Sequence, residues 1–313
     1  MGAVIGFFVD VFKEFSKEII AGILIALAVW MFPGLKRFFG KGKEHSEDDI
    51  KSTVRKVLEV QREIDREYQE EKQSQAQNPQ SQAYLTEANE YNTLGDKYYY
   101  AGEYTQAIIW YRKASEQGLA EAQKNLGYMY SRGYGVRKDY KEAAKWYRRA
   151  AEQGNVKAQF NLGLLYDNGD GVKQDYKEAA KWYEKAANQG HAKAQKNLGN
   201  MYSEGQGVRK NYEQAVIWYR KAADQGNAAA QCNLGYMYSH GYGVRQDYGQ
   251  ALIWYRKAAD HGDATAQFNM GVMYEYGQGV AKDLQEARKW YQMAAAQGDK
   301  DAARAIARFD SSI

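Results

Sequence analysis

The sequence predicts an all-α chain: a stack of repeated helix pairs preceded by a hydrophobic N-terminal helix. Three observations carry this. Trp-Tyr pairs recur every 36 residues, at Trp110, Trp146, Trp182, Trp218, Trp254 and Trp290, and Gly118, Gly154, Gly190, Gly226, Gly262 and Gly298 keep the same interval. Only 2 of 313 residues are Pro, beside abundant Ala, Tyr, Lys, Glu and Gln. A 44% hydrophobic fraction with 14% aromatics is too rich for a disordered chain, so a packed core is expected. A period of this length marks units too small to bury their apolar faces alone, each covered by its neighbours.

Residues 1–40 form the hydrophobic element. Ile19–Phe32 (IIAGILIALAVWMF) has no polar side chain; as a helix it spans ~21 Å, short of the ~30 Å hydrocarbon core. Phe15 extends the run, Lys17 can snorkel and Trp30 suits an interface. Lys36, Arg37, Lys41 and Lys43 follow, whereas Asp10, Lys13, Glu14, Lys17 and Glu18 nearly cancel. The expectation is a single-pass anchor with the repeats in the cytoplasm; an interfacial helix is the alternative. A cleavable signal is disfavoured, because no basic n-region precedes the run and MFPGLKRFF offers no small-x-small site. Asp10, Lys13, Glu14 and Lys17 share one stripe, with Val4, Phe8, Val11 and Phe12 among the apolar remainder. Either an amphipathic helix lies on the membrane surface, or one helix runs from about Ala3 to Phe32 with its charged stripe facing other copies or water. Gly22 and Ala26 would permit close helix contact.

Residues 41–83 read as a charged helix and a Gln/Ser-rich linker, EEKQSQAQNPQSQ, with nothing to bury. Ser46 and Asp49 open the helix, and Ile50, Val54, Val57, Gln61, Ile64 and Tyr68 follow heptad spacing. Two readings stay open here: a short coiled coil making a homo-oligomer through residues 46–70, or a solvated helix packed on the first repeat.

Residues 84–313 hold about six repeat units. In one, Ala122, Leu126, Met129 and Tyr130 form a single helical face. Gly133 and Gly135 break the helix, and Asp139 with Glu142 gives a capping-box pattern opening a second one. Tyr140, Ala143, Tyr147 and Ala150 form its buried stripe, and Gly154 ends it. Small Ala opposite large Tyr and Trp is expected to let the helices interdigitate. The capping pair returns as Asp175/Glu178, Asn211/Gln214, Asp247/Gln250 and Asp283/Glu286.

The strings AQKNLGYMYSRGYGVRKDYKEAAKWYRRAAEQG, AQFNLGLLYDNGDGVKQDYKEAAKWYEKAANQG and AQCNLGYMYSHGYGVRQDYGQALIWYRKAADHG closely resemble Sel1-like repeats, relatives of tetratricopeptide repeats. The resemblance covers roughly Thr86–Phe309; the unit before Ala122 lacks the G-x-G-V loop and looks like a tetratricopeptide unit. It implies a right-handed α-superhelix that binds other proteins, and no catalytic residues.

Chemistry is sparse. The lone Cys232 excludes an intramolecular disulfide and a multi-Cys metal site, and fits a reducing compartment. It occupies a slot used by Lys124, Phe160, Lys196 and Phe268, as a packing or surface thiol. No two histidines lie one helical turn apart, so no zinc pair is expected; His191, His240 and His261 read as turn or helix-end residues. The G-Y-G-V and G-D-G-V loops lack the G-K-[ST] of a phosphate loop. We therefore expect no enzyme, no cofactor and no metal.

Two columns differ from copy to copy and are expected to face a partner. One holds Tyr128, Leu164, Asn200, Tyr236 and Val272; the other Arg132, Asn168, Glu204, His240 and Tyr276. They form a mixed aromatic, polar and charged strip suited to a protein or peptide, if they line the concave surface. Nucleic acid is disfavoured, because Glu and Asp are interspersed among the basic residues and net charge is only +4. The expected function is a membrane-anchored interaction scaffold. The alternative is an oligomeric membrane-perturbing effector with the repeats as sensor.

Overall fold

The computed structural model describes residues 79–310 together with Arg66. The chain divides into two compact units, Met1–Ala83 and Tyr84–Ile313. The expected anchor at 1–40 and, apart from the helical Arg66, the heptad segment at 46–70 lie outside the described residues. Among those residues no helix is long and apolar enough to cross a membrane.

The described residues form thirteen helices and no strand. They pair as α1 (Pro79–Tyr100) with α2 (Tyr104–Glu116), α3 (Ala120–Arg132) with α4 (Tyr140–Glu152), and α5 (Val156–Asn168) with α6 (Tyr176–Asn188). The pairs α7 (Ala192–Glu204) and α8 (Tyr212–Asp224), α9 (Ala228–His240) and α10 (Tyr248–Asp260), and α11 (Ala264–Tyr276) and α12 (Leu284–Ala296) follow. A final helix, α13 (Lys300–Asp310), closes the stack. Helices pack mainly on their sequence neighbours, the pattern of an α-solenoid.

The Trp-Tyr pair divides two packing tasks. Tyr183 lies fully buried against Gly163 of its own unit, where a methyl group would stand 2.7 Å from the ring. Trp182 joins the core made by α4 and α5 of the preceding junction, with Tyr147, Leu162 and Leu165. Trp218, Trp254 and Trp290 repeat this in later units. Buried Ala residues pack with Tyr147 and Trp182 as expected, and Gly against Tyr adds a closer approach: only the missing Cβ admits a flat ring onto the helix backbone.

The glycine loops bind unit to unit. Gly133 is left-handed at φ 73° and ends α3, while Gly135, at φ 69°, brings the loop onto the start of α2. A Cβ on Gly135 would lie 2.4 Å from the Tyr104 carbonyl, and Gly171 meets Tyr140 the same way. Tyr134 stacks on Tyr104 at 4.6 Å, and Tyr242 on Tyr212 at 4.8 Å.

Asp139, Asp175, Asn211, Asp247 and Asp283 all cap their helices through side-chain oxygens. The reciprocal half of the capping box is replaced. The Asp139 N–H donates to the Tyr130 carbonyl at 2.9 Å, so Glu142 turns to Lys145 at 2.5 Å instead. A folded-back loop supplies the acceptor that local sequence rules assign to glutamate.

A buried amide row runs through the stack. Gln159 Nε2 donates to the Ala151 carbonyl at 3.1 Å, and its Oε1 accepts from Gln189 at 2.8 Å. Gln123, Gln195 and Gln267 do the same with Gln153, Gln225 and Gln297; at Gln231 the donor is His261 Nδ1, at 3.1 Å. Each amide adds a second donor to a carbonyl at the end of the preceding unit's second helix, which also accepts the N–H of the glycine that follows the helix.

Candidate functional site

The first helices of successive units line a hollow. A cavity of about 490 Å³ reaches from α1 to the start of α7. Tyr99, Tyr128 and Phe160 supply aromatic wall, and Lys124, Lys157 and Lys193 supply charge. Because these residues come from α1, α3, α5 and α7, the cavity lies on the first-helix face of this part of the stack.

His191 sits where two physical demands meet. Its Nδ1 accepts the Ala194 N–H at 3.2 Å and so caps α7, the task of Asn155, Asn227 and Asp263 elsewhere. Its ring stacks on Phe160 at 4.5 Å. Burial, then the charges of Lys193 and Lys157, hold its imidazole below the usual histidine range.

The carboxylates nearby are engaged. Asp96 accepts the Tyr111 hydroxyl at 2.7 Å and Asp167 accepts that of Tyr183 at 3.0 Å. Burial is the leading cause that raises both tyrosine pKa values, with the facing carboxylate adding to it. Glu121 pairs with Lys124 and accepts from Asn155 at 3.0 Å. Lys196, one turn beyond Lys193, is half-buried, and burial lowers its pKa.

Of the ten residues singled out on the sequence, all lie on first helices, and Tyr128 alone lines the cavity. Leu164 and Val272 are half-buried and pack on core clusters. Asn200 accepts the Tyr219 hydroxyl at 2.8 Å and the Asn233 amide at 3.1 Å. The other column is exposed throughout, at Arg132, Asn168, Glu204, His240 and Tyr276. Arg132 lies over the Tyr128 ring, and Tyr236, His240 and Tyr242 cluster together at 4.0–6.0 Å.

Two further columns contribute to the cavity, through Lys157 and Lys193 and through Lys124 and Phe160; their other members are Glu121, Ala229 and Thr265, and Lys196, Cys232 and Phe268. Both vary between copies, so the test of variability that selected Tyr128 would have selected them too. Cys232 is buried, and burial pushes its thiol up to about 12. Among the described residues no cluster of His, Cys, Asp or Glu is arranged to hold a metal ion.

A row of helix pairs with a hollow, chemically varied inner surface defines a repeat-solenoid protein. The Sel1 repeat model matches residues 94–119, 120–155, 156–191, 192–227, 228–263 and 264–299, and the chain belongs to the Sel1 repeat family. Proteins of this family are generally protein-interaction scaffolds, typically without enzymatic activity. The chain is similar to the crystal structure of a protective antigen of uropathogenic Escherichia coli, at 41% identity and TM-score 0.68. That match covers 72% of this chain, which spans 50% of the antigen's length. A Sel1 repeat protein from Oxalobacter formigenes is similar at 39% identity and TM-score 0.65, covering 69% of this chain and 86% of that one. No curated protein matches the chain.

Proposed function

We propose that this protein is a membrane-tethered scaffold that holds a protein or peptide partner along its first-helix surface and catalyses nothing. The observation that carries the reading is a contrast within each first helix. Residues that pack, such as Ala158, Gln159 and Gly163, recur in every full unit; those on the open side, such as Lys157 and Asn168, change from unit to unit. Packing explains the first set, and a varied surface suits a partner of varied sequence. The apolar run Ile19–Phe32 with Lys36, Arg37, Lys41 and Lys43 behind it supports a tether with the repeats on the cytoplasmic side. Tethering would raise the partner's effective concentration near the bilayer.

The test uses the full chain in cells, with photo-crosslinking residues at Tyr236, at Tyr276, or at Lys145 on a second helix. One partner captured at the first two positions and absent at the third supports the reading. Equal capture at all three sinks it. The charged stripe Asp10, Lys13, Glu14 and Lys17 favours a second reading, an oligomeric membrane effector. That reading requires the full chain to depolarise cells and Asp10→Asn or Lys13→Gln to alter the effect.

A further inference from the structure

The cavity holds more positive charge than its walls neutralise. Lys157 and Lys193 are exposed at its rim, without an ion-pair partner among the described residues, and both act on His191. Lys196 stands behind them, half-buried and likewise without an ion pair among those residues. Asp96 is the one carboxylate among the lining residues, against Lys124, Lys157 and Lys193. Outside the lining, Glu121 pairs with Lys124 and also feels the charge of Lys157, and Asp167 acts on Lys196. The charge is local to this part of the stack. In the two C-terminal units the column of Lys157 and Lys193 becomes Ala229 and Thr265, and that of Lys196 becomes Cys232 and Phe268.

We propose that this cavity binds a carboxylate-bearing segment of a partner protein, its acidic side chain between Lys157 and Lys193 and an adjoining aromatic residue on Phe160 and Tyr128. The assignment rests on the protein-binding reading above and names the partner's chemistry. A carboxylate there gains charge-assisted hydrogen bonds from two ammonium groups, in a hollow where water screens them less than on an open face. A volume of about 490 Å³ accommodates a few side chains. Asp96 in the cavity wall would repel the continuous charge of a nucleic-acid backbone, which favours a peptide with separated charges.

The experiment measures fluorescence anisotropy on the purified full chain. The probe is a pool of fluorescein-labelled octapeptides, each with four Glu or Asp around one Phe or Trp; a second pool carries Gln and Asn instead. The acidic pool is expected to bind at least about tenfold more tightly, a difference of about 1.4 kcal/mol. Lys157→Glu/Lys193→Glu should remove that preference, and Lys300→Glu, on α13, should leave it. Both lysines are exposed, so circular dichroism and the melting temperature of the double variant should match those of the parent. Equal binding of the two pools, no binding of the acidic pool at about 1 mM, or an unaffected double variant overturns the proposal. So does a single-stranded RNA oligonucleotide or phosphatidylserine vesicles binding through these lysines while the acidic pool does not. Crosslinking at Tyr236 and Tyr276 is independent of Lys157 and Lys193, so failure here leaves the broader scaffold reading separately measurable.

Discussion

At Gly163 a single hydrogen sets how closely α5 and α6 approach. Gly163→Ala places a methyl 2.7 Å from the buried Tyr183 ring and should cost about 1–3 kcal/mol. Gly171→Ala should cost more, because its Cβ meets the Tyr140 backbone at 2.3 Å and φ is +67°. Gly190→Ala meets nothing within 4 Å and bears only the strain of φ +88°, about 1 kcal/mol. Urea denaturation that ranks Gly171→Ala mildest would contradict this packing. His191 gives a pH dependence of known sign. Its folded pKa lies below the ordinary 6.5, so the unfolded chain takes up its proton first as pH falls. Its contribution to stability is therefore full above 6.5 and declines as pH drops towards the folded value. His191→Asn keeps the cap, as Asn155 does, and should flatten the pH dependence between 7 and 5; an unchanged slope would refute the assignment.

Within the second helices, a position half-buried in every full unit and an exposed one three residues later change together. Glu142/Lys145, Glu178/Lys181 and Glu286/Lys289 are ion pairs one turn apart. In the other units the same places hold Gln106/Ile109, Gln214/Ile217 and Gln250/Ile253, with each isoleucine exposed. Surface pairs of this kind contribute little, so Gln214→Glu/Ile217→Lys should shift unfolding free energy by less than about 0.5 kcal/mol. A loss beyond about 1 kcal/mol would reveal a packing role for Ile217 that its exposure excludes. The late-helix lysines have more to do than complement the helix dipole. Lys185, Lys221 and Lys257 stand 4.1–4.3 Å over Trp182, Trp218 and Trp254, covering rings whose other sides face the core. That role was hidden in the sequence, since a residue three places after Trp reads equally as solvated surface.

For the whole molecule, nearest-neighbour packing makes the last helix a lid. Arg308 of α13 reaches the nearly buried Glu275 at 2.5 Å, and Phe309 lies 5.9 Å from Tyr291. Deleting residues 300–313 should speed hydrogen exchange in α11 and α12 while leaving α5 and α6 unchanged, as a quasi-one-dimensional stack requires. A uniform increase would mean that the units melt as one body. The repeat boundaries, the caps and the buried Ala, Leu and Tyr positions were legible because each unit's folding problem is local, and the same solution is written six times. The sequence by itself therefore determined the solenoid of repeated helix pairs. Only the tertiary structure decided which residues share the cavity. Stacking sets neighbouring first helices side by side, so Lys157, Phe160 and His191 converge through helix offset and a cap, and no spacing along one chain segment encodes that distance.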